Sequence, residues 1–130
     1  MTKTFWIFGF WLHLGLVLLI AVSAYLGILP THYKVIPQSD FFGHAILIGF
    51  LAFFLDGSLD FRPLISDRMN WLRLGPALIL AIAAIEEIAQ VLSPNRTASL
   101  KDFVGDLLGI ALCSWLAKVI GTRQALTQKT

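Results

Sequence analysis

From Phe5 to Leu29 the chain runs for 25 residues without an aspartate, glutamate, lysine or arginine. An α-helix rises about 1.5 Å per residue, so roughly 20 apolar residues cross the hydrocarbon core of a bilayer. Only His13, Ser23 and glycines interrupt the run, and Pro30 closes it. Leu72 to Leu92 is a second such run, polar only near its end at Glu86, Glu87 and Gln90. Leu100 to Ile120 is a third. The apolar stretch from Phe41 to Leu55 is shorter, but extending it to Gln38 and Asp56 gives it the needed length, with polar ends at the interface.

Composition agrees. The chain is 57 % hydrophobic and 14 % charged, against about 45–50 % and about 25 % in soluble domains. A domain of 130 residues has too little interior to hide so much apolar surface from water. A net charge of +2 gives no basis for a nucleic-acid partner. One cysteine, Cys113, excludes an internal disulfide framework. The expectation is an all-α integral membrane protein. It has one domain over residues 1–130, with four transmembrane helices at about 5–29, 38–56, 72–92 and 100–120.

Lys3, the first apolar run and then Ala21-Val22-Ser23-Ala24 resemble a signal peptide with its cleavage site. The run is long for that role and the rest of the chain is equally membranous, so it is expected to stay attached. Lysine and arginine set the orientation. With four spans, Lys3, Arg62, Arg68, Arg73, Lys118, Arg123 and Lys129 share one side, and Lys34, Arg96 and Lys101 the other. Seven against three puts both termini in the cytoplasm. Trp6, Trp11, Trp71 and Trp115 fall toward the same inner side, as an interfacial belt would.

The polar residues within the spans gather at the outer ends. Asp40 and His44 are four apart and share a helix face. Glu87 and Gln90 are three apart near the end of the third span, with Glu86 beside them. Asp102 and Asp106 are four apart at the start of the fourth. Glu87 and Asp106 each lie about 9–10 Å inside their helix ends, so one layer can hold them all. Arg96 sits in the tight outer loop between the last two spans. Ionisable groups at that depth cost a few kcal/mol if lipid-facing, so they turn inward and pair. Ser99-x-x-Asp102 also reads as a capping-box start, which can account for Asp102 by itself. Gly105 and Gly109 form a GxxxG pair continued by Cys113 and Ala117. It is expected to be a packing face within the bundle, with Ala77, Ala81 and Ala84 of the third span on offer; a homodimer seam is the alternative.

These residues resemble a known family. Ser39-Asp40-Phe41-Phe42-Gly43-His44 is similar to an Asp-Lys-x-x-His helix start. Glu87-x-x-Gln90, then Arg96, Ser99, Asp102, Asp106 and Gly109, is similar to a Glu-x-x-Gln…Arg-x-x-Ser-x-x-Asp-x-x-x-Asn-x-x-Gly signature. Both belong to the VanZ-like family of small bacterial membrane proteins, and the resemblance runs from about Ser39 to Ala117. Phe41 stands where that family usually has lysine, and Asp106 where it usually has asparagine, which makes this cluster more acidic. The resemblance implies a helical protein of the bacterial cytoplasmic membrane. It implies an accessory role in the cell envelope, linked through the name-giving member to glycopeptide-antibiotic resistance.

The function expected is binding of an amphiphile in an outer-leaflet polar pocket formed by Asp40, His44, Glu87, Gln90, Arg96, Ser99, Asp102 and Asp106. The amphiphile would be a lipid headgroup, a wall precursor or a lipoglycopeptide. Arg96 would hold a phosphate or carboxylate, the start of the fourth helix would add backbone donors, and the acidic layer would take amines or sugar hydroxyls. One alternative is a structural network in a scaffold for a membrane protein partner. Another is an enzyme acting on a lipid-linked substrate, with Glu87 and His44 as acid and base, or with a metal on His44, Glu87 and Asp106. No nucleophile motif or phosphate loop is present, so catalysis is the lesser expectation, and no cofactor is expected. His13, the one ionisable residue in the inner half of a span, is expected to make an interhelical hydrogen bond.

Overall fold

The computed structural model describes residues 1–28, 39–65, 73–93 and 99–127. Four helices follow in order: α1 (Lys3–Tyr25), α2 (Ser39–Ser58), α3 (Leu74–Val91) and α4 (Leu100–Thr127). Each is long and apolar enough to cross a membrane. Side chains such as Leu12, Leu19, Ile85, Ile88, Leu112 and Trp115 stand exposed on their outer faces. In water such a surface would aggregate; in lipid it is solvated.

The helix ends have local causes. Thr2 caps α1, its hydroxyl accepting from the Phe5 N–H at 3.3 Å. The same helix stops at Tyr25, four residues before the expected Leu29. There Gly27 takes φ 68°, its N–H bonds the Ala24 carbonyl, and the Ile28 N–H reaches back to Ser23. This is a Schellman closure, and glycine is the residue that adopts it without strain. Pro76 lies in the first turn of α3, where its missing N–H costs no helical bond.

α2 is the hub: α1, α3 and α4 all pack on it, and α4 also meets α3. The closest approach is between α2 and α4. A Cβ on Gly109 would lie 2.0 Å from the Ala45 carbonyl oxygen, and one on Gly49 would lie 2.7 Å from the Gly109 oxygen. The GxxxG face therefore serves packing inside the bundle, but its partner is α2 rather than α3. The two helices run parallel, with Phe41 beside Gly105, Ala45 beside Gly109 and Gly49 beside Cys113. Below this seam Leu51, Ala52, Ile79 and Ile110 form one core cluster. His13 Nε2 and the Leu47 carbonyl oxygen, 2.8 Å apart, tie α1 to α2 by the interhelical hydrogen bond expected of that histidine.

Trp6, Phe53 and Ala117 form a second cluster, with Phe54 and Phe61 against it. Trp6 is only 4 % exposed, with its ring centroid 4.9 Å from that of Phe53 and 5.7 Å from that of Phe61. This corrects the expected tryptophan belt. Trp11 and Trp115 are exposed, 64 % and 65 %, but Trp6 is core because Gly57 leaves room for its indole. Trp71 lies outside the described residues.

Candidate functional site

Two groups of buried polar residues lie at opposite ends of α2. The first contains residues that the sequence pattern nominates. His44, one turn into α2, is half-buried, and its Nδ1 lies 3.1 Å from Oδ1 of Asp106 on α4. The Asp106 side chain is 3 % exposed and the His44 side chain 18 %. With a carboxylate opposite it, Nδ1 carries a proton and donates to Asp106. Asp102 and Glu86 lie close enough to act on the charge of the same ring.

Glu86 of α3 bonds to α1 and within its own helix. It accepts from the Tyr25 hydroxyl of α1 at 3.2 Å and from Nε2 of Gln90. Gln90 is 1 % exposed, and its Oε1 has no hydrogen-bond partner. The amide cannot be turned around, because that would set Oε1 against the Glu86 carboxylate.

Glu87 points elsewhere. Its Oε1 accepts from the backbone N–H of Ser99, and its Oε2 is buried without a partner. The Ser99 Oγ in turn accepts from the Asp102 N–H at 3.4 Å. In a capping box the N-cap N–H bonds the side chain three residues on. Here Glu87, from the neighbouring helix, has taken that N–H, and Asp102 is freed from the reciprocal arm. The start of α4 is thus already neutralised by a carboxylate of the same chain.

Of the nominated residues, the structure brings His44 to Asp106, Gln90 to Glu86, and Glu87 to Ser99. Asp40 is exposed, and no contact among the described residues ties it to the others. Arg96 lies outside the described residues. The pairing of Glu87 with His44 required by an acid–base reading is replaced by His44 with Asp106. No three histidine, cysteine or acidic side chains among the described residues are grouped to hold a metal. Tyr25 was missed by sequence reasoning; its place as the last residue of α1, on the side of the polar layer, was the available signal.

The second group was also missed. Asp56, near the end of α2, is completely buried. Its Oδ2 lies 2.5 Å from Nη1 of Arg73, just before α3. Nη2 of Arg73 donates to the Ser114 carbonyl of α4, and the guanidinium lies 5.7 Å from the centroid of the Phe61 ring. Phe61 and Asp60 hold φ near +56° and +55°, a conformation that costs an aromatic residue of order 1–3 kcal/mol. The turn is held by Phe61 N–H to the Asp56 carbonyl at 2.9 Å and by Leu74 N–H to Arg62 at 2.9 Å. In the sequence Asp56 reads as a span boundary and Arg73 as one of the inner positive charges. An acid and a base flanking one short loop was the signal for a pair.

The chain matches no protein-family model, no curated protein and no solved structure.

Proposed function

We propose that the protein is a multi-pass protein of the bacterial cytoplasmic membrane, with both termini inside. In this reading it is an accessory factor of the cell envelope that holds the polar head of an amphiphile at the His44–Asp106 end. The observation that carries it is the buried His44–Asp106 pair, which joins α2 to α4 at the end of the bundle opposite the Asp56–Arg73 pair. Ionisable groups are costly within a membrane and are retained there for function. The lysine and arginine bias supports an outward placement of this end. The motif shared with the VanZ-like family supports the same envelope setting, and membership of that family is part of the proposal.

Native mass spectrometry of gently extracted protein tests the reading. The wild type should carry one amphiphile, and a His44→Leu/Asp106→Leu double variant of unchanged helicity should not. A bare chain in both samples would overturn it.

A structural-network reading draws on the internal bonds of Glu87 to Ser99 and Gln90 to Glu86. It predicts that substitutions in this layer lower the thermal midpoint and that any loss of function follows the midpoint.

A further inference from the structure

Two costs coincide at the turn that follows α2. Asp60 and Phe61, neither of them glycine, hold φ 55° and 56° in succession. A side chain crowds the backbone in that conformation, so each residue resists it. Next to the turn, Oδ1 of Asp56 and Oγ of Ser114 are buried without a hydrogen-bond partner. Both forfeit the water they would bond if exposed.

One side chain connects the two costs. The Phe61 ring lies against the Arg73 guanidinium, at 5.7 Å from the ring centroid, and that guanidinium joins Asp56 to Ser114. Two other elements hold the ring in place. It meets Trp6 of α1 edge-on, at 5.7 Å and 86°. On α4, a β-carbon added at Gly121 would stand 2.5 Å from its Cε2. Phe61 is nonetheless only half-buried, and it belongs to a turn rather than to a helix.

We propose that Phe61 is a strained latch. The turn swings its ring off Arg73 while the helices stay folded, and water then reaches the Asp56–Arg73–Ser114 group. The inference is independent of the amphiphile reading. Withdrawal returns Asp60 and Phe61 to ordinary backbone angles and gives both orphan oxygens a partner. Against it stand the ring's contacts with Trp6 and Arg73. Backbone strain persists only where the surroundings hold it, and it gathers at elements that switch. Opposed terms meeting in one side chain leave the latch poised to open locally.

The test is reaction of a buried thiol with a small charged methanethiosulfonate, in full-length protein in micelles. Cys113→Ala silences the natural cysteine, and Ser114→Cys supplies the reporter. Arg73 bonds the carbonyl of residue 114, not its hydroxyl, so that bond survives the substitution. Ile79→Cys, in the other core cluster, reports global unfolding; it loosens the core and so makes a stringent control. Ser114→Cys should react at least about tenfold faster than Ile79→Cys, as a local opening implies. Phe61→Leu should raise the Ser114→Cys rate about tenfold, through loss of the aromatic and cation–π contacts. Asp60→Gly accepts the left-handed backbone and should lower it about threefold or more. Lys3→Ala removes the ion pair of Asp60 without touching the backbone and should leave the rate within about twofold. Reaction no faster than at Ile79→Cys shows that the opening does not occur. An unchanged or raised rate in Asp60→Gly shows that the turn holds no strain. Either result overturns the latch. If Ser114→Cys fails to fold, hydrogen exchange at the Phe61 and Leu74 amides, both bonded in this turn, should follow the same three substitutions in the same directions. Exchange indifferent to Asp60→Gly overturns the latch equally.

Discussion

At one end of α2 a carboxylate meets a guanidinium; at the other an imidazole meets the carboxylate of Asp106 on α4. Asp56 and Arg73 are sealed, opposite in charge and joined to three helices through Ser114. The two charges there offset each other, although Asp56 Oδ1 and Ser114 Oγ are buried without a hydrogen-bond partner. The His44 layer is partly open and carries more negative than positive groups among the described residues. Both ends are polar islands in an apolar chain, yet the first behaves as a clasp and the second as a receiving surface. Burial alone therefore does not mark a functional site in this molecule. Imbalance combined with access does.

The largest expected effect would break the clasp. Arg73→Met leaves Asp56 as a buried, uncompensated charge and should cost about 3–5 kcal/mol of stability, read as a lower thermal midpoint in detergent. Replacing both partners, Asp56→Leu/Arg73→Met, should recover most of that loss, since exchanging a whole buried pair for apolar residues is often neutral. A double variant as unstable as the single would contradict the ion-pair account.

Next comes the seam that joins the two ends. Gly109→Ala drives a methyl group into the Ala45 carbonyl and should cost about 1–3 kcal/mol through forced separation of α2 and α4. Gly43→Ala, where a Cβ meets nothing within 4 Å, should instead stabilise by about 0.5–1 kcal/mol through helix propensity. Equal effects at the two glycines would remove the close-packing argument.

At the receiving end the effects on stability should be smaller. Glu87→Gln keeps an acceptor for the Ser99 N–H and loses only its charge, so about 1 kcal/mol or less is expected in denaturant unfolding. A loss comparable to that of Arg73→Met would make the layer a clasp as well and erase the contrast. Smallest of all, Lys3→Ala removes an exposed contact with Asp60 and should change the midpoint by no more than about 0.5 kcal/mol equivalent.

The four helices were legible because uncharged runs of bilayer length admit few other folds. The ends were less so. The Schellman closure at Gly27 is a local choice that hydropathy does not encode, and it stopped α1 short of Pro30. The small-residue face of α4 was visible as Gly105 and Gly109, but its partner was not. Small residues say that some backbone comes close, and both Ala77–Ala81–Ala84 on α3 and Ala45–Gly49 on α2 offered one. Within the candidate site, helical spacing correctly placed His44 and Asp106 at one depth. It could not distinguish Glu86 from Glu87, adjacent residues that point to different neighbours according to a rotation of α3 of about 100°. The Asp56–Arg73 pair escaped because each residue sits at a span boundary, where charge is ordinary.

The division of labour between the ends is tested most directly by one native mass spectrum recorded on two double variants side by side, Asp56→Leu/Arg73→Met and His44→Leu/Asp106→Leu. The account predicts a retained amphiphile on the first and a bare chain on the second. An amphiphile lost from the clasp variant but kept by the His44 variant would contradict it.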